Sequence, residues 1–116
     1  MLASTAESVV ANQMKKGDVL GTARFAGLQA SKDAAALVPL ASPAPAHEVT
    51  ISFEVLDDCI DVLALVDVAS MPEAATQALV AASVAALTIY DMCKSVDRTM
   101  SIHELCVLSG DGAAPM

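Results

Sequence analysis

The run SVAALTIYDMCKSVDR, residues 83–98, decides how this chain folds. Leading into it, residues 78–90 read ALVAASVAALTIY, with only Ser83 and Thr88 polar, and are rich in alanine, the best helix former. Thirteen such residues fall short of the ~20 that cross a bilayer, so the run is expected as a helix buried over most of its surface. Asp91, Lys94 and Arg98 follow at i, i+3 and i+7, a spacing that puts all three on one face of the same helix as it leaves the core. On spacing alone the triplet reads as an exposed, ion-paired helix end whose cations meet the negative C-terminal dipole.

Working outward, the chain of 116 residues is expected to form a single domain over 1–116, large enough for a core and small enough to bury surface against another subunit. Hydrophobic residues make up 55% and aromatic residues only 3%, so the core is built from Ala, Val and Leu, and the surplus favours a homo-oligomer. The net charge of −8 excludes nucleic acid and anionic membranes as partners, because both demand clustered Lys and Arg. Cys59, Cys93 and Cys106 lack the spacing of a disulfide framework or a zinc site and read as small buried hydrophobes. Residues 1–16, MLASTAESVVANQMKK, have no basic segment ahead of an apolar one, so no secretory signal is expected and the location is expected to be cytoplasmic.

Ser4 and Glu7 form a capping box that predicts a short helix over 5–14, ended by Lys15, Lys16 and Gly17, with residues 1–15 as an N-terminal helical segment. Asp18 caps a second helix whose apolar face is Val19, Leu20, Ala23, Ala26, Gly27 and Ala30. Pro39, Pro43 and Pro45 forbid a continuing helix and impose an extended or turning path. Residues 49–56 alternate, with Val49, Ile51, Phe53 and Val55 facing one way, Asp57 and Asp58 turn, and residues 60–68 return, which predicts an antiparallel hairpin. Asp57, Asp58 and Asp61 do not match a calcium loop, and no metal site is expected. Ser70 and Glu73 cap the long helix, with Pro72 in its first turn. Residues 99–108 alternate as a third strand with a bulge near Leu105, His47 and His103 read as structural or exposed, and 109–116 is a flexible tail.

The long helix is very similar to the signature of the molybdenum cofactor biosynthesis protein C (MoaC) family, the cyclic pyranopterin monophosphate synthases, which typically reads SVAALTIYDMCKAVD. Residues 16–32, KGDVLGTARFAGLQASK, resemble that family's KGDVLATARIAGIMAAK. The resemblance extends over residues 16–112, and an arginine-bearing N-terminal segment common in the family is not matched. It implies an α+β fold, an antiparallel sheet packed by helices in a ferredoxin-like arrangement, assembled as dimers within a hexamer with active sites at subunit boundaries. The implied reaction converts a cyclic dihydroguanosine triphosphate to cyclic pyranopterin monophosphate with release of pyrophosphate, with no redox cofactor.

By the same resemblance Asp91, Lys94 and Lys32 are catalytic, with the lysines transferring protons and facing phosphate and Asp91 orienting or deprotonating. Arg24, Ser42 and Gln77 stand at substrate-binding positions. The sequence departs from the family around these residues. Ala41 and Ser42 replace Cys and His in a loop commonly LIPLCHPLPL, which removes an imidazole able to donate to phosphate or shuttle a proton. Residues 73–77 fall on the family's GVEME, so Ala75 and Gln77 stand where carboxylates could take protons. Asp111 stands in a tail that is basic in the family, commonly SGGKSG. The resemblance therefore implies a working synthase with a reduced site. The alternative is a catalytically impaired member acting as a binding or assembly subunit, or one lending lysines to a partner that supplies the missing His and Glu.

Overall fold

The computed structural model describes residues 1–41, 43, 45–46, 48–68 and 71–108. The elements run α1 (Ala3–Val10), α2 (Val19–Lys32), α3 (Ala34–Leu37), β1 (Glu48–Val55), β2 (Ile60–Asp67) and α4 (Met71–Cys93). The fold class is α+β, as expected: a two-stranded antiparallel sheet covered on one face by helices. The expected hairpin forms, in a register that runs from Val55 opposite Ile60 to Glu48 opposite Asp67, and its turn closes with the Leu56 N–H donating to the Cys59 carbonyl at 2.8 Å. Ile51 is buried, with Phe53, Val62 and Ala64 packed beside it, while Thr50, Ser52 and Glu54 face outward opposite Leu65, Leu63 and Asp61.

Asp18 caps α2 as expected, its Oδ1 accepting the Gly21 N–H at 3.0 Å. Gly27 is the point of closest approach. A Cβ there would run into Ile51 Cδ1 and lie 2.8 Å from the Ala81 carbonyl oxygen. Lys16, just ahead of α2, meets Asp91, whereas Gly27 meets Ala81 and Ala85, so α2 runs antiparallel to α4. In α4 the buried residues Ala74, Gln77, Ala81, Ala85, Ile89 and Met92 recur every three or four positions, which is one stripe of the helix.

Several expectations are corrected. The long helix has 23 residues, and residues 73–93 are long and apolar enough to cross a membrane, yet this stripe packs on α2 and the sheet as a core helix does. It is buried on that side rather than most of the way round: Leu87 and Tyr90 stay 56% and 40% exposed. The helix stops at Cys93, so Arg98 lies beyond it and does not share a helical face with Asp91 and Lys94. Ser70, expected as the cap of this helix, lies outside the described residues.

The Ser4–Glu7 capping box does not form. Leu2 stands at the cap of α1 without a side-chain bond, and α1 ends well before Lys15. Asn12 takes φ 56°, the Asn12 N–H donates to the Val9 carbonyl at 3.2 Å and the Gln13 N–H to the Ser8 carbonyl at 2.9 Å, a Schellman ending that asparagine tolerates better than most residues. Among the described residues the third strand does not form: residues 99–107 are not in a strand, Leu108 makes only an isolated bridge, and Glu104 at φ 58° breaks the alternation just where Leu105 steps out of phase. His103 is exposed there, and His47 lies outside the described residues. Of the cysteines only Cys93 is buried; Cys59 is half-buried and Cys106 exposed.

Candidate active site

The last turn of α4 and the turn before α2 meet at one end of the helix pair. Asp91 sits in the last turn of the helix, and the Lys94 N–H still donates to the Tyr90 carbonyl at 2.9 Å, so the i, i+3 spacing holds the two side chains together. Lys94 Nζ donates to Asp91 Oδ1 at 2.7 Å. From the other side Lys16 Nζ donates to the Asp91 backbone carbonyl at 3.2 Å and lies 3.9 Å from Asp91 Oδ2. One carboxylate is thus held between two ammonium groups, with all three side chains about half exposed.

The hydrogen bond and charge of Lys94, helped by the charge of Lys16, hold the Asp91 carboxyl below its ordinary value. The same hydrogen bond raises Lys94 above its own. At neutral pH Asp91 is therefore ionised and Lys94 protonated, so Lys94 is set to donate a proton or hold an anion, and Asp91 to accept or orient one. Beside this group an open cleft of about 240 Å³ lies between α1, the 13–16 turn and the end of α4, with Ser4, Thr5, Ser8, Lys15, Lys16 and Ser95 among the residues that line it.

The remaining candidates stand elsewhere in the chain. Arg24 Nε donates to the Ile51 carbonyl at 3.0 Å, and its guanidinium lies 5.3 Å from the centre of the Phe53 ring, so it ties α2 to β1. Lys32 ends α2, exposed, about 20 Å along the helix axis from the Lys16 end at 1.5 Å per residue. Gln77 is buried on α4, one turn after Glu73, whose Oε2 is buried with no hydrogen-bond partner. Ser42 lies outside the described residues. Among the described residues no three His, Cys, Asp or Glu side chains are grouped to hold a metal ion.

Two residues at this end were not singled out from the sequence as functional. Lys16 was one of a basic pair closing α1, and nothing local shows that the chain folds it onto Asp91. Asp97 is buried, with a carboxyl held well below the carboxylate range. Burial alone would raise it, but donors from Thr99, Leu2 and Thr5 together outweigh that cost. An Asp followed two residues later by Thr is a turn signal, which could have marked its local bond but not the distant ones.

The profile of the MoaC family matches residues 1–113. The chain is 42% identical over 113 residues to a cyclic pyranopterin monophosphate synthase of Desulforamulus reducens, covering 97% of this chain and 69% of that protein. It is also 42% identical over 116 residues to a protein of the same name from Herpetosiphon aurantiacus, covering 98% and 71%. A molybdenum cofactor biosynthesis bifunctional protein of Chlorobaculum tepidum is 43% identical over 105 residues, 90% of this chain and 34% of that protein. A family profile matched along nearly the whole sequence, the signature helix ending in a paired Asp91 and Lys94, and relatives at this identity lead to one conclusion: the chain belongs to the MoaC family.

Proposed function

We propose that this protein is a cyclic pyranopterin monophosphate synthase of molybdenum cofactor biosynthesis, a lyase that converts a cyclic dihydroguanosine triphosphate to cyclic pyranopterin monophosphate and releases pyrophosphate. The observation that carries the reading is the grouping of Lys94 and Lys16 around an ionised Asp91 on the signature helix. Rearranging a triphosphate requires cations to hold the phosphates and a placed acid and base to move protons, and this group contains both. Lys94, kept protonated by Asp91, supplies the phosphate-facing charge and a proton; Asp91 orients it or accepts a proton in return.

Lys32 is the second proton-transferring lysine. Because it lies at the far end of α2, the reading requires that a neighbouring copy bring its own Lys32 to Asp91 and Lys94, as in a dimer within a hexamer. Arg24, Ser42 and Gln77 contribute to binding the nucleotide-derived substrate, and the work of the protein is in the cytoplasm. No observation favours the impaired assembly subunit.

The test is pyrophosphate release from the cyclic triphosphate by purified protein. Lys94→Ala is expected to lower kcat by about 10²–10⁴, the usual loss for a proton-transferring group. Equal rates for the variant and the wild type would reject the assignment.

A further inference from the structure

Asp97 is the one charged side chain among the described residues that is fully buried, at 1% exposure, yet it belongs to no helix or strand. Its carboxylate gathers donors from distant parts of the chain. Oδ2 accepts the Leu2 N–H at 2.8 Å, and Oδ1 accepts the Thr99 N–H at 2.8 Å and the Thr99 hydroxyl at 2.6 Å. The Thr5 hydroxyl also donates to it. Its own N–H donates to the Cys93 carbonyl at 3.1 Å, which closes the turn that carries Lys94. Leu2 and Thr5 lie at the start of α1, and the short turning segment that follows α1 carries Lys16, the ammonium group that meets Asp91 from the opposite side. One carboxylate is therefore joined covalently to the Lys94 turn and by hydrogen bonds to the segment that delivers Lys16.

We propose that Asp97 is a positioning residue for the Asp91, Lys94 and Lys16 group, acting through Leu2, Thr5 and Thr99 to fix α1 and the turn after α4 relative to each other. The proposal rests on the function given above only for its kinetic consequence; its geometric consequence is independent of it. A solvent-facing cluster of half-exposed side chains has little packing of its own to fix it, so its separations follow from the backbone segments that carry it. A misplacement of about 1 Å in such a group can cost on the order of 100-fold in rate.

The experiment uses the full chain. Asp97→Asn keeps the shape but turns one acceptor into a donor facing N–H and hydroxyl donors. Below its melting temperature this variant is expected to lose about 10- to 100-fold in kcat for pyrophosphate release, with KM changed by less than about threefold. The ¹³C titration of the Asp91 carboxyl should move up toward its ordinary value of 3.8, because Lys94 and Lys16 no longer close on it. A purely structural role lowers the melting temperature and leaves both readings at wild-type values; a folded Asp97→Asn protein behaving so overturns the proposal. If that variant does not fold, Thr99→Val, which removes only the hydroxyl donor, is expected to shift both readings in the same direction by less, and wild-type values for both reject it. If the wild-type protein releases no pyrophosphate, the proposed function fails, and the Asp91 titration alone decides the role of Asp97.

Discussion

At Gly27 a single missing methyl group sets how closely α2 and α4 approach. The Ala81 carbonyl oxygen would lie 2.8 Å from a Cβ and the Ala85 Cβ 3.3 Å, and the Ile51 side chain fills the remaining side. Replacing a helical glycine by alanine ordinarily gains about 0.5–1 kcal/mol from propensity. Here the added atom meets backbone that cannot yield without separating the helices, so Gly27→Ala is expected to destabilise by about 1–3 kcal/mol in net terms. Thermal denaturation should show the midpoint falling by several degrees, and a rise would mean that the helices part without cost. Gly21 differs: a Cβ there meets only the side chain of its own cap, Asp18. The sequence places both glycines in the same helix, and only the neighbouring helix distinguishes them. The candidate site has the same character. Asp91 and Lys94 are legible because their contact is i, i+3; Lys16 reaches Asp91 across 75 positions of sequence, and no local pattern encodes that.

Among the elements, the hairpin was the most legible, since alternation over 49–56 and 60–68 with two aspartates between them points to two strands joined by a tight turn. Its outer face nevertheless sets Glu54 directly opposite Asp61 and Glu48 opposite Asp67, and like charges in such pairs repel. Glu54→Lys should turn one repulsive pair into an attractive one and stabilise the protein by about 0.2–1 kcal/mol, less in high salt. Urea denaturation at low and high ionic strength tests this, and a salt-independent change would point to another cause. The third strand failed for a reason the pattern could not carry. Alternation describes side chains, whereas a strand also needs a partner for its backbone, and residues 99–107 find no strand partner among the described residues while Glu104 turns the path at φ 58°. At α1 the helix starts at Ala3, with Leu2 rather than Ser4 at its cap, and the Leu2 N–H donates to Asp97, 95 positions away. No local pattern encodes that bond.

For the molecule as a whole, the apolar surplus is only partly buried. Phe25 and Leu65 are 67% and 57% exposed and Leu87 56%, on α2, β2 and α4 respectively, and an isolated two-stranded sheet is at best marginal without further cover. Together with the separation of Lys32 from Asp91, this supports the proposed assembly of several copies. Light scattering coupled to size exclusion is expected to give a mass several times that of one chain, and Leu87→Glu, which places a charge on the uncovered side of α4, is expected to reduce it and activity together. A monomer that turns over substrate at the wild-type rate would contradict the shared-site arrangement.

The sequence by itself determined the α+β class, the antiparallel hairpin, the cap of α2 and the pairing of Asp91 with Lys94, because each rests on local patterns, where backbone geometry fixes who can touch whom. Only the tertiary structure decided that α4 is covered along one stripe, that Lys16 closes on Asp91, that Lys32 stands at the opposite end and that Asp97 gathers both ends of the chain. Those outcomes depend on the antiparallel packing of α2 on α4, and burial of apolar surface has no direction of its own: it favours contact, while steric fit at places such as Gly27 selects which contact forms.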